Sequence, residues 1–276
     1  MLKRILIGVD AIDNESAAME LGLRWAKRHG ARVVGIGVVD ESGIEITESL
    51  MYPRGYVASL SPTLVSEIHA EFRLNLKRFA ERCAAEGVAC GTLEAVGPPH
   101  ATILAEAQRH DLLLLDRGSH FEFGWEGEPG QTLARLMKDS PRPIVAVPDA
   151  LPEGEAVVVA YDGSLQVSRA LFAFVTLGLA AGRDVHVVTV ATEQGEANRV
   201  AERARDYLES HEVAATIHAF ESALHPAGIL LEQLHRLEAG LVVMGAYGRR
   251  TLREYFVGSV TRGVLTETPA PIFCFH

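Results

Sequence analysis

Just past the apolar run Leu241-Val242-Val243-Met244 lie three glycines and a hydroxyl, Gly245, Gly248, Gly258 and Ser259. These residue types suit the holding of a phosphate. Glycine has no Cβ, so it permits positive φ and lets phosphate oxygens come close to backbone N–H groups. Ser259-Val260-Thr261 reads as the start of a helix, whose free N–H groups and positive dipole end attract an anion. Arg249, Arg250 and Arg253 stand between the glycines and suit an anionic ligand. Taken alone, the same glycines also serve as turn residues and the arginines as a solvated face. Neither Gly-Lys-Ser/Thr nor G-x-G-x-x-G occurs here, which excludes the Walker loop and the Rossmann fingerprint.

A chain of 276 residues exceeds the usual single domain, and length over ~150 suggests about two. With 48% hydrophobic and 22% charged residues it is an ordinary globular composition. The net charge of −10 argues against a nucleic-acid or anionic-membrane partner, either of which calls for a basic face. Cys83, Cys90 and Cys274 are odd in number and lack C-x-x-C spacing, so they read as buried free thiols rather than a disulfide framework or zinc site. The start Met1–Asp10 meets a charge before a signal-type apolar region of adequate length develops, and the uncharged stretch 170–182 is far short of a membrane span. A cytoplasmic protein is expected.

The chain repeats itself. At an offset of 152, Ile5–Asp10 meets Val157–Asp162, Ser16 meets Ser168, Gly30 meets Gly182, and Val33–Val38 meets Val185–Val190. Further on the offset falls to 128 or 129, where Leu112–Leu115 meets Leu241–Met244 and Ser140–Ile144 meets Thr268–Ile272. The difference marks an insertion in the first copy, near 40–63, readable as a lid, an interface or a loose loop. Strands are expected near 3–9, 32–39, 88–95, 111–116 and 143–147, with helices near 15–29, 64–86, 99–109 and 130–139. The second copy repeats the strands near 156–161, 184–191, 213–219, 240–244 and 271–275. Strand, helix and strand in succession imply βαβ units and a parallel sheet covered on both faces. Residues 148–155, with two prolines and a glycine, read as a linker between domains 1–149 and 155–276. In such sheets ligands bind beyond the carboxyl ends of the strands at the topological switch point. With strand order 3-2-1-4-5, Asp162 and Gly245 fall in one crevice.

The spacing G-x2-G-x9-G-[S/T] over Gly245, Gly248, Gly258 and Ser259 resembles the nucleotide motif of the universal stress protein family. The openings Ile5-Leu-Ile-Gly-Val-Asp10 and Val157-Val-Val-Ala-Tyr-Asp162 and the closing Pro-x-Pro-Ile extend the resemblance to both copies. It implies two tandem doubly wound, five-stranded parallel sheets, Rossmann-like and adenine nucleotide alpha hydrolase-like, forming an intramolecular pseudo-dimer or a homodimer. It further implies that Asp162 and Val190 face the adenine of ATP, ADP or AMP. Met244, Gly245, Gly248, Arg249, Gly258, Ser259, Val260 and Thr261 would then contact ribose and phosphates, with or without Mg²⁺. A stress-response regulatory role exerted through an unidentified protein partner follows from the same resemblance.

The first copy departs from this pattern. Asp10 and Val38 are kept, but Asp116 stands where Gly245 does, Ser119 falls near Gly248, and Gln131 follows Gly130. Glu122, Glu126 and Glu128 replace the arginines, and each carboxylate facing a triphosphate costs on the order of 1 kcal/mol. The first copy is therefore read as degenerate. No H-E-x-x-H or G-x-S-x-G occurs, and His211, His218 and His225 fall on a turn, a strand and a loop. His69 and His235 sit in helical patterns as surface residues. No base and carboxylate pair for phosphoryl transfer is evident, which leaves at most slow ATP hydrolysis. The remaining alternative is an interaction scaffold that needs no nucleotide.

Overall fold

The computed structural model describes residues 1–10, 16–41, 57–119, 131–246 and 259–276. The chain divides into two compact units, Leu2–Arg142 and Pro143–His276, the latter joined by Met1.

In the first unit, β1 (Arg4–Gly8), β2 (Arg32–Val39), β3 (Cys90–Val96) and β4 (Leu112–Asp116) lie in the order β3-β2-β1-β4, all parallel. Ile5, Leu6, Ile7 and Leu112 to Leu115 have no solvent exposure, as expected of strands covered on both faces. Helix α1 (Ala17–His29) starts at Ser16, whose Oγ accepts from the Met19 N–H at 3.2 Å, and stops at Gly30, φ 61°. Helix α2 (Val57–Ala85) crosses from β2 to β3, and α3 (Pro99–Ala107) and α4 (Gln131–Asp139) follow. Residues 57–63 of the insertion are thus helix rather than lid or loop. Pro62, an uncommon residue inside a helix, obscures this in the sequence. Residues 42–56 lie outside the described residues.

The second unit carries β5 (Ile144–Val147), β6 (Ala156–Ala160), β7 (Val185–Ala191), β8 (Ala215–Glu221), β9 (Ala239–Gly245) and β10 (Ile272–Phe275). Their order is β5-β10-β9-β6-β7-β8. Among the described residues of this unit only the β5–β10 pair is antiparallel, with Phe273 opposite Val145. Helices α5 (Leu165–Thr176), α6 (Gln194–Ser210), α7 (Ala227–Arg236) and α8 (Ser259–Glu267) complete it. Phe174 of α5 meets Phe273 of β10 edge to face, ring centroids 5.7 Å apart.

The copies solve the same packing problem in opposite ways. In the first, β2 presents Gly35 and Gly37 to α2, and a Cβ on either would come within 2.9 Å of Phe79 or 2.7 Å of Phe72. In the second, the equivalent strand positions are Val187 and Thr189, while α6 buries the small residues Ala197, Ala201 and Ala204. Volume removed from the strand is returned by the helix, as close packing requires.

The repeat alignment needs one correction. The helix caps are Ser16 and Ser164, and the closing glycines are Gly30 and Gly178, φ 80°, so the first helices correspond at an offset of 148. Four extra residues precede the helix in the first copy and four follow it in the second. Ser168, matched to Ser16 by sequence, lies one turn inside α5, where its Oγ donates to the Ser164 carbonyl at 2.9 Å. Compensating shifts restore the strand register at both ends, so matching the strands alone conceals them.

Candidate functional site

Strand β6 ends at Ala160, paired with Val188 of β7 and Met244 of β9. The Tyr161 N–H donates to the Val188 carbonyl at 2.9 Å, and the Tyr161 carbonyl then accepts from the Thr189 hydroxyl at 2.8 Å. Beyond this last rung stand Asp162 and Val190, with Gly245 at the end of the neighbouring β9. Topology therefore brings together Asp162, Val190, Met244 and Gly245 from positions up to 83 residues apart, at the carboxyl edge where β6 is flanked by β7 and β9.

Asp162 is exposed, and its Oδ1 accepts from the Ser164 N–H at 2.9 Å. Gly163, φ 74°, makes the turn, and Ser164 caps α5 by accepting from the Val167 N–H at 3.4 Å. Asp162 thus shapes the turn. No hydrogen bond to its Oδ2 occurs among the described residues, which leaves that oxygen able to accept from a ligand.

Gly245 is fixed by packing. A Cβ there would lie 2.6 Å from the Val167 nitrogen and 2.9 Å from the Gln166 Cβ. The end of β9 runs directly against the first turn of α5, so this glycine has a structural requirement independent of any ligand. Helix α8 begins at Ser259, which places Ser259, Val260 and Thr261 in its first turn. Gly248, Arg249 and Gly258 lie outside the described residues.

In the first unit the corresponding position is occupied by a carboxylate. Asp116, at the end of β4, accepts from the Ala18 N–H at 2.9 Å and from the Ser16 hydroxyl. The N-terminus of α1 already holds an anion supplied by the chain, which both satisfies its free donors and suits its dipole. A neighbouring cavity lined by Asp10, Ser16, Met19, Asn75 and Phe79 measures about 20 Å³, room for about one water. Asn75, nearly buried, reaches across from α2 to the Asp10 carbonyl at 2.9 Å. Glu122, Glu126 and Glu128 lie outside the described residues.

Two polar clusters escaped the sequence reading. His69, expected on the surface, is held between Glu94 at 2.6 Å and Glu41 at 3.0 Å, with Arg73 on the other oxygen of Glu94 at 2.8 Å. Hydrogen bonds to Glu41 and then Glu94 raise the His69 pKa. In the second unit, Arg236 reaches Nδ1 of His218 at 3.4 Å, Nε2 of His218 meets Nδ1 of His186 at 3.0 Å, and Nε2 of His186 meets Asp184 at 3.1 Å. Burial, then the neighbouring His186 and Arg236, lower the His218 pKa. Both clusters join separate elements, so no local motif announces them. Among the described residues no group of three or more His, Cys, Asp or Glu side chains could hold a metal ion, and no helix is long and apolar enough to cross a membrane.

The sequence model of the universal stress protein family matches residues 1–148 and again 155–276. The chain belongs to the universal stress protein family. It does so in tandem form, as does a Synechocystis universal stress protein that is 22% identical over 290 residues, covering 100% of each chain. Among solved structures, a universal stress protein from Archaeoglobus fulgidus is 17% identical and superimposes with a TM-score of 0.67 over 98% of this chain and 94% of its own. A functionally unknown Pseudomonas aeruginosa protein, also 17% identical, reaches 0.61 over 99% and 92%. At these identities the likeness establishes the fold alone.

Proposed function

We propose that this tandem universal stress protein binds ATP or a related adenine nucleotide in its second unit and responds by altering an interaction surface. The carrying observation is the contrast between the copies. At the helix N-terminus beside the strand ends, the first unit has the Asp116 carboxylate and the second has Gly245, which offers no side chain. The convergence of Asp162, Val190 and Met244 supports the same reading. Asp162 Oδ2 would take a hydrogen bond from the adenine amine or a ribose hydroxyl, and Val190 would border the base. Gly245, Gly248, Arg249, Gly258, Ser259, Val260 and Thr261 would hold ribose and phosphates, with Mg²⁺ neutralising phosphate charge. Occupancy would order the Gly/Arg segment and shift a conformational equilibrium by the ligand's differential affinity for two states. A cytoplasmic stress-regulatory role is the reading that family membership favours. Any ATP hydrolysis would be slow, since among the described residues no base poised to activate a nucleophile accompanies the site.

One observation favours a nucleotide-independent scaffold: Gly245 is explained by α5 packing without a ligand. That alternative leaves the spacing from Gly248 to Ser259 unaccounted for. Calorimetric titration of Mg²⁺ and ATP into nucleotide-stripped protein and its Gly248→Glu variant separates the readings. Near one site per chain, lost in the variant, is expected. Two sites would overturn the assignment of the first unit as degenerate, and the absence of both heat and thermal stabilisation would establish the scaffold. Phosphate release from bound ATP, followed alongside, measures any turnover.

A further inference from the structure

The corner that joins α2 to β3 places two thiols side by side. Helix α2 ends in a Schellman turn: the Val88 N–H donates to the Cys83 carbonyl at 2.9 Å, the Gly87 N–H to the Ala84 carbonyl at 3.1 Å, and Gly87 takes φ 68°. The turn folds the chain back so that Cys90, the first residue of β3, returns beside Cys83. The Cys90 backbone is pinned there by its register with Val33 and by the Arg32 guanidinium, which donates to its carbonyl at 2.9 Å. Val33, its register partner, stands two residues from Gly35, which faces Phe79 of α2, so Cys90 lies on the sheet face that α2, and with it Cys83, covers.

The duplicated fold supplies an internal comparison. Helix α6 ends in the same turn, with Val213 N–H donating to the Leu208 carbonyl at 3.0 Å and Glu212 at φ 62°. There the two equivalent positions are Leu208, fully buried, and Ala215, the first residue of β8. The corner itself asks only for an apolar pair. The first unit answers with two cysteines, Cys83 fully buried and Cys90 partly exposed on the edge strand β3.

We propose that Cys83 and Cys90 are a thiol oxidation site that closes to an intramolecular disulfide under hydrogen peroxide. Cys90 reacts first, since an oxidant can reach it. Burial, together with the adjoining Cys90, pushes the Cys83 thiol up to about 12, so Cys83 remains protonated and sheltered. The peroxide transfers one oxygen to the Cys90 sulfur, giving a sulfenic acid and one water. The Cys83 sulfur then displaces the hydroxyl, which leaves with the Cys83 proton as a second water. The two thiols lose two electrons and the peroxide O–O bond takes them. Cys274, fully buried against the Ile144 carbonyl, is the unreactive control.

The test is treatment of the reduced full chain with hydrogen peroxide, followed by alkylation under denaturing conditions, intact mass and peptide mapping. The expected product has one alkylated cysteine of its three, Cys274, and a Cys83–Cys90 cross-linked peptide that dithiothreitol releases. Cys90→Ala, the residue of the second unit at that position, should keep both remaining thiols alkylatable after peroxide, as should Cys83→Leu once dithiothreitol has reduced any sulfenic acid. Three alkylated cysteines in the treated wild type would overturn the proposal. So would a link between chains or one that includes Cys274.

Discussion

The close approach of β9 to α5 can be tested without any ligand. In Gly245→Ala the new Cβ would sit 2.6 Å from the Val167 nitrogen, 2.9 Å from the Gln166 Cβ and 3.0 Å from the Gln166 carbonyl carbon. Ordinary contacts between such atoms begin near ~3.5 Å, so the overlap approaches an ångström. Two of the three opposing atoms are helix backbone and cannot rotate away, so β9 and the first turn of α5 must separate. Overpacking of this kind costs about 1–3 kcal/mol. At roughly 2–8 °C per kcal/mol, thermal unfolding of nucleotide-stripped protein should show a drop of several degrees, and urea unfolding should report the same loss. Gly228→Ala is the matched control. Its Cβ would meet nothing within 4 Å, and as an exposed position in α7 it should be neutral or gain up to about 1 kcal/mol. If the stripped Gly245→Ala protein proves as stable as wild type, the packing account of this glycine is wrong. If it is destabilised, lost nucleotide binding in that variant says little about phosphate contact, and Gly248→Glu becomes the informative substitution.

Asp116→Ala should destabilise the first unit by about 1–3 kcal/mol in denaturant unfolding, because the Ala18 N–H and Ser16 hydroxyl lose a charged acceptor, whereas Asp116→Asn should lose less. His69 carries a signed pH dependence. Its folded pKa is raised, so its contribution is fully present below the unfolded value of ~6.5 and is lost as pH rises through the folded value. The stability gap between wild type and His69→Ala should therefore be widest on the acid side and narrow toward alkaline pH. An imidazole NMR titration of His69 midway below the usual histidine value would contradict the carboxylate clamp.

The strands of both units were legible because buried parallel strands read as unbroken apolar runs such as Leu112–Leu115 and Val157–Val159, which need no tertiary information to recognise. The crevice was legible because Asp162 and Gly245 follow such runs directly and strand order then determines their neighbourhood. Helix limits were less legible: the start of α2 at Val57 is masked by Pro62, and the four-residue shift between Ser16 and Ser164 is masked by the strand matches on either side. Contacts such as His69 to Glu94, His186 to His218 and Cys83 to Cys90 depend on how a helix seats on a strand or how two strands register. Periodicity assigns each residue to an element without saying which partner it will meet.

Strand β5 is encoded with the first repeat, yet it completes the second compact unit as the antiparallel neighbour of β10. Duplication and architecture are thus offset by one strand. Severing the chain within 148–155 would leave the second repeat with an open edge at β10, whose bare N–H and C=O groups would be a template for foreign strands. Severing it between Arg142 and Pro143 would keep that edge capped. For isolating the second unit, the piece to take is therefore not the repeat alone but the repeat together with strand β5.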